Sequence, residues 1–132
     1  MKTWTLSTPG WNDVEIRIYP TRRAMKRAIG EFETSVPRSP MGYHCVLEND
    51  NGGYLPLILL NEVDSAENKH TDTVAHECLH AVISLVRIKQ GLEVGSSSVL
   101  IGKDDEEDIC LLQGNLILAI RRALNHESRQ SD

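Results

Sequence analysis

Two histidines and one glutamate lie within an apolar stretch, residues 73–82, and have the types and spacing to support catalysis. They form a His-Glu-x-x-His pattern at His76, Glu77 and His80. Residues four apart share one face of an α-helix, so the two imidazoles can bind one metal ion. Imidazole nitrogen is a good zinc ligand, and Glu77 can then accept a proton from a zinc-bound water. The spacing predicts one Zn²⁺ per chain and a hydrolytic reaction.

The helix that carries this pattern is apolar almost all round, which is typical of a buried central helix. Three ionisable side chains on such a helix cost free energy unless a metal or polar partners satisfy them. We expect Thr71 to cap the helix, Asp72 to complement its dipole, and the helix to end near Lys89, before Gly91.

A catalytic zinc ion needs a third protein ligand and an open fourth position. The acidic run 104–108 supplies candidates at the start of a last helix that we expect to continue to about Asn125. Helical phase favours Glu107, on a stripe expected to face inward, and leaves Glu106 as the alternative. The residues that share the face of Glu107 are Cys110, Leu111, Gly114 and Leu118. A glycine in that stripe would let the two helices approach closely.

Other polar side chains are candidates for supporting roles. A metal-bound histidine usually donates its second ring nitrogen to a carboxylate or carbonyl, and Asp72 lies four residues before His76. Negative charge that develops in a transition state needs a hydrogen-bond donor. The candidates for that donor are Tyr43, His44, Tyr54 and His70. A structural role is the alternative for each of these residues.

The elements that must position these residues can be read from the hydrophobic pattern. Residues 14–19 alternate as a half-buried strand, and Thr21 then caps an amphipathic helix that runs to about Glu33. Residues 42–48 and 54–60 form two strands joined by a turn at 49–53. A weaker strand signal lies in residues 1–10. The sequence predicts an α+β fold in which a small, mostly antiparallel sheet of three or four strands packs against three helices, in the order β-α-β-β-α-α.

The second strand of the hairpin is apolar on both faces and contains Pro56. Proline lacks an amide donor, which favours an edge strand or a bulge. An apolar edge strand needs a cover, and a bound peptide could supply it by strand addition. The residues that would then contact the substrate are Leu55, Leu57 and Leu59.

Length and composition limit the classes of protein. The 132 residues, of which 40% are hydrophobic, fit a single domain over 1–132 with a frayed tail at 126–132. No apolar run is long enough for a membrane span, and no signal-peptide core is recognisable. Three cysteines without a close pair argue against a disulfide framework, so we expect a cytoplasmic protein. The formal net charge of -5 disfavours nucleic acid as a partner. Oligomeric state is not fixed by the sequence.

Residues 73–82 resemble the active-site helix of the zincin metallopeptidases, and residues 107–114 resemble the helix that carries the third ligand in the gluzincin type. The layout is most similar to short metallopeptidases encoded by phages or prophages, which would act in the host cytoplasm. This resemblance covers about residues 71–120 and implies a minimal zincin-like domain. It implies metal ligation by His76, His80 and Glu107, with Glu77 as the general base. The chain lacks the longer glutamate motif of the large gluzincins.

The expected function is a zinc-dependent hydrolase, and most specifically a metallopeptidase with a peptide or protein substrate. One alternative is a non-catalytic, zinc-stabilised binding protein, such as a phage factor that acts on a host protein. Glu77 favours the enzyme, because a purely structural site needs no base. A second alternative is a deformylase-like amidase, which uses an upstream cysteine ligand, but His44 and Cys45 lack that family's glycine-flanked context.

Overall fold

A computed structural model describes residues 1–36, 40–66, 72–91 and 103–130. These ranges contain four strands and three helices. The strands are β1 (Lys2–Leu6), β2 (Val14–Tyr19), β3 (Tyr43–Glu48) and β4 (Tyr54–Asn61), and the helices are α1 (Arg22–Ile29), α2 (Thr73–Lys89) and α3 (Lys103–Gln130). The fold is α+β, as predicted, and the weak signal in residues 1–10 corresponds to β1.

The strands form one sheet in the order β1-β2-β4-β3. The β1–β2 and β3–β4 pairs are antiparallel, whereas β2 and β4 run parallel, with Ile16 opposite Ile58. The prediction of a small, mostly antiparallel sheet is therefore confirmed. The parallel pair follows from the connection, because α1 and β3 lie between β2 and β4 in the chain.

Helices cover both faces of the sheet. The alternation in β2 directs Val14, Ile16 and Ile18 to the face that packs against α2 and α3. The opposite face carries Leu57 and Leu59 and packs against α1. Because successive side chains of a strand point to opposite faces, the sheet contributes to two separate cores, one on each side.

Helix α1 begins where the sequence predicts. The Thr21 hydroxyl accepts a hydrogen bond from the Ala24 amide at 3.1 Å, which satisfies one of the free amides of the first turn. Met25, Ala28 and Ile29 form its buried face. The helix ends at Ile29 rather than near Glu33, because Gly30 caps it and the chain turns.

The hairpin turn also has the predicted cause. Gly52 adopts a positive φ of 78°, and the side chain of Asn49 accepts hydrogen bonds from the amides of Asn51 and Gly53.

The edge position expected for β4 is wrong, since β4 pairs with β3 on one side and with β2 on the other. Pro56 lies before Leu57, where the pairing with β2 begins, so its missing amide is tolerated as at an edge.

Helix α2 is the central helix of the larger core. Asp72, rather than Thr71, is its N-cap, and the Asp72 carboxylate accepts from the Ala75 amide at 3.0 Å. Residue 71 lies outside the described ranges. Val74, Cys78 and Val82 are buried against the sheet and α3. Gly91, with φ of 72°, follows the end of the helix as predicted.

Helix α3 is 28 residues long, so it extends beyond Asn125 through most of the tail that was expected to fray. Its buried face carries Leu112, Leu116 and Ile120. The opposite face, which the sequence predicted to point inward, is exposed: Leu111 and Leu118 are 56% and 47% accessible. Within the described ranges, no helix has the length and apolarity needed to cross a membrane.

Candidate metal centre

The two histidines of α2 converge at its surface. Their side chains are exposed, and the His76 Nε2 and His80 Nε2 atoms lie 3.2 Å apart. The ring planes are inclined by 74°. Two zinc–nitrogen bonds of about 2.05 Å at a tetrahedral angle separate their nitrogens by roughly 3.4 Å. The imidazole pair therefore has the spacing and the chemistry of two ligands to one zinc ion.

Glu77 lies one residue further along α2 but points into the protein. Its side chain is 6% exposed, so it is the buried ionisable group of the motif. A Cβ placed on Gly42 would lie 2.8 Å from Glu77 Cγ and 3.1 Å from Oε1, so the backbone before β3 packs directly on this side chain. Burial raises the pKa of Glu77, and the neighbouring His76 opposes that rise. The carboxylate is therefore a stronger base than an exposed glutamate.

His44, on β3, is the predicted supporting residue that reaches the histidine pair. Its ring is nearly parallel to that of His80, with 5.8 Å between the centroids. His44 Nε2 and the buried Ser84 Oγ lie 3.2 Å apart, within hydrogen-bond distance. Burial, followed by the charges of His80 and Arg87, lowers the pKa of His44 to about 4.

His80 is also biased toward its neutral form. Partial desolvation of the ring, followed by the charge of His76, lowers the pKa of His80. Only the neutral imidazole has a lone pair free to bind a metal ion. At neutral pH, therefore, the side of α2 that faces β3 presents an uncharged His80 ring next to the uncharged ring of His44.

Among the described residues, the structure does not bring the predicted third ligand to the histidine pair. Glu107 and Glu106 are exposed on α3, and Gly114 has open space around it instead of a neighbouring helix. In the described part of the chain, no three His, Cys, Asp or Glu side chains form a group that could hold a metal ion. Helix α3 buries Leu112 and Leu116, so the stripe of Glu107, which was expected to face inward, lies on the opposite, exposed side.

Three other expected supporting residues have different partners. The Asp72 carboxylate caps α2 and also binds the Arg121 guanidinium, so it orients the helix rather than a histidine ring. The Tyr43 hydroxyl donates to Glu33 at 2.6 Å, on the α1 side of the sheet. Tyr54 lies at the opposite end of the hairpin from His44. His70 lies outside the described residues.

The leucines expected to bind a peptide and the cysteine of the amidase alternative lie on the α1 face of the sheet, away from the histidine pair. Leu57 and Leu59 are fully buried against α1, and Leu55 is partly buried, so β4 offers no surface for a peptide.

Cys45 packs on the same face as Tyr43, away from α2. Burial raises the pKa of the Cys45 thiol to about 11, which disfavours a thiolate ligand. The deformylase-like arrangement is therefore not formed.

Two residues of the site were missed in the sequence. Ser84 lies four residues after His80, so a search for polar side chains on the histidine face of α2 would have found it. Gly42 carries no local signal, because its role depends on a contact with a helix more than thirty residues away.

No protein-family model, characterised protein sequence or solved structure matches this chain. The chemistry of the site is thus inferred from its own residues.

Proposed function

We propose that this protein is a zinc-dependent hydrolase, and most specifically a metallopeptidase. His76 and His80 would hold the metal, and Glu77 would act as the general base. The observation that carries the proposal is the 3.2 Å separation of the two Nε2 atoms, with the buried Glu77 between the two histidines in the sequence. Both histidine rings lie at the surface, so the pair adds little to the buried core.

The donor set fits zinc, which prefers nitrogen and sulfur ligands in protein sites. When bound, zinc supplies a Lewis acid that polarises a carbonyl group and lowers the pKa of a coordinated water. Glu77 would take a proton and deliver it to a leaving amine. Its burial against Gly42 limits its motion and keeps its basicity high.

Strand β3 is a suitable place for an extended substrate. Among the described residues it pairs only with β4, so its other edge has free backbone donors and acceptors. His44 of β3 contacts His80, which puts that edge beside the histidine pair. A peptide added along β3 would gain main-chain hydrogen bonds next to the metal ligands. This geometry favours a peptide over a compact small-molecule substrate.

The test compares metal content and hydrolysis in wild-type protein and two variants. Zinc per chain is measured by mass spectrometry, and hydrolysis is measured on a quenched-fluorescence peptide library. Glu77→Gln should retain zinc and lose at least about 100-fold of kcat/KM, because it removes the base and keeps the ligands. His80→Ala should lose both zinc and hydrolysis.

The result of Glu77→Gln also distinguishes the two classes of function. A biological effect of the protein that persists unchanged in this variant would exclude hydrolysis as its basis. That outcome, together with retained zinc, would favour the non-catalytic binding protein.

A further inference from the structure

Helix α3 carries an apolar stripe on the side that faces away from the core formed by the described residues. Leu111 and Leu118 are 56% and 47% exposed, and the space around Gly114 is open. The stripe lies opposite the buried residues Leu112 and Leu116 on the helix circumference. A helix that only covers a core needs one apolar face, so a second one is a candidate interaction surface.

Charged residues flank this stripe in a symmetric pattern. Glu107 lies one turn before Leu111, and Arg122 lies one turn after Leu118, with both charged side chains exposed. The four positions are separated by four, seven and four residues, so all lie on one side of the helix. Reversal of the helix direction exchanges Glu107 with Arg122 and Leu111 with Leu118. The surface is therefore complementary to itself.

We propose that α3 binds a second copy of this chain in an antiparallel arrangement. The two-fold axis would pass between Gly114 and Asn115. Each Leu111 would then pack on Leu118 of the second copy, and each Glu107 would pair with Arg122 of the second copy. A two-fold interface of this kind uses the same patch on both subunits. Gly114 lets the two helices approach closely at the axis, because it has no side chain.

The interface would be small. From Glu107 to Arg122 the helix rises about 22 Å, so the buried surface lies at the low end of specific interfaces. Charge pairs at the rim set register and orientation more than affinity. The dimer should therefore form in a concentration-dependent way and weaken as salt increases. His76 and His80 lie on α2, so the dimer does not depend on the proposed metal chemistry.

Sedimentation equilibrium of the full-length chain tests the proposal, over about 1 to 500 µM protein at low ionic strength. Wild-type protein should form a reversible dimer. Glu107→Lys and Arg122→Glu should each raise the dimer Kd by about tenfold, because each places like charges together twice per dimer. The double variant should restore the Kd to within about threefold of wild type, since opposite charges face each other again.

Glu106→Lys is the matched control, because it makes the same charge change on an exposed residue outside the stripe. It should leave the Kd unchanged. Leu111→Asp should abolish the dimer, with an unchanged circular dichroism spectrum as proof of folding. A monomer at the highest concentration, a dimer insensitive to Glu107→Lys, or a double variant that fails to recover would each overturn the proposal.

Discussion

Gly42 and Glu77 are in direct contact across the boundary between β3 and α2. A Cβ at residue 42 would come within 2.8 Å of Glu77 Cγ, closer than real side chains approach. The same Cβ would lie 3.1 Å from Thr73 Cγ2, so there is little room for Glu77 to adjust. Gly42 thus limits the space available to the side chain of Glu77, the proposed base.

Gly42→Ala should therefore separate zinc binding from hydrolysis. The three atoms nearest the added methyl group belong to Glu77 and Thr73, so we expect it to displace the Glu77 carboxylate rather than either histidine ring. We expect zinc stoichiometry within about 20% of wild type and a loss of about tenfold or more in kcat, since misplacement by about 1 Å can cost 100-fold. Metal analysis and peptide hydrolysis, measured on the same preparation, provide the test.

The control for this variant is Gly114→Ala, which adds the same methyl group in open space on α3. It should retain full hydrolysis. If Gly42→Ala also retained full hydrolysis, the contact with Glu77 would have no part in catalysis. If it lost zinc as well, the segment before β3 would instead support the metal ligands.

The backbone next to Gly42 is fixed by a buried polar network. Asn61 is fully buried and donates to the Met41 carbonyl at 3.1 Å and to Asp64 at 2.9 Å. Asp64 is 3% exposed and binds the Arg22 guanidinium through two hydrogen bonds, of 2.6 and 2.8 Å. This network connects the end of β4, the start of α1 and the segment that packs on Glu77.

Asn61→Ala should destabilise the protein by about 2 to 4 kcal/mol, because it leaves buried partners without hydrogen bonds. The free energy of unfolding is measured by urea denaturation at pH 7. Asn125→Ala, on the exposed face of α3, is the control and should change it by less than about 0.5 kcal/mol. A loss below about 1 kcal/mol for Asn61→Ala would show that water replaces the amide in the network.

The parts of the fold that were predicted correctly depend on local patterns. The alternation of Val14, Ile16 and Ile18 defines the core face of β2 without reference to any other element. The turn at residues 49–53 and the cap at Thr21 follow from backbone and side-chain preferences within a few residues. The spacing of His76 and His80 likewise predicts from one helix alone that the two rings converge, and their Nε2 atoms lie 3.2 Å apart.

The incorrect predictions, for β4 and for α3, concern which neighbouring element of the fold covers an apolar surface. Strand β4 is apolar on both faces because helices cover both sides of the sheet. Pro56 suggests an edge strand, but it lies just before the residues of β4 that pair with β2. In α3, Leu111 and Leu112 are equally apolar in sequence, but only Leu112 is buried. Hydrophobic period alone cannot choose between two apolar sides of one helix, so Glu107 was placed inward.

Metal-free protein should lose stability as the pH falls from about 6.5 to about 4. The pKa of His44 is about 4 in the folded chain, against 6.5 for an ordinary histidine. In this interval the unfolded chain binds a proton that the folded chain does not, so acid favours unfolding. Allowing for partial access of solvent to the ring, the loss attributable to His44 is on the order of 2 kcal/mol.

Urea denaturation at pH 7 and pH 4.5, in the presence of a chelator, measures this loss. His44→Gln should reduce the pH dependence, because glutamine does not titrate in this range. Ser84→Ala keeps the buried imidazole and should retain most of the pH dependence. An identical loss of stability in His44→Gln and wild type would assign the effect to other groups.

The exposed position of Glu107 predicts that the proposed metal site does not use it. Glu107→Ala should retain the wild-type zinc content and hydrolysis, whereas His76→Ala should lose at least about tenfold in zinc affinity, because it removes one of the two imidazoles that converge at 3.2 Å. Zinc affinity is measured by competition with a chromophoric chelator. Glu106→Ala is the control for loss of a carboxylate from the same turn of α3. A loss of zinc in Glu107→Ala alone would mean that α3 reorients on metal binding and brings this carboxylate to the histidine pair.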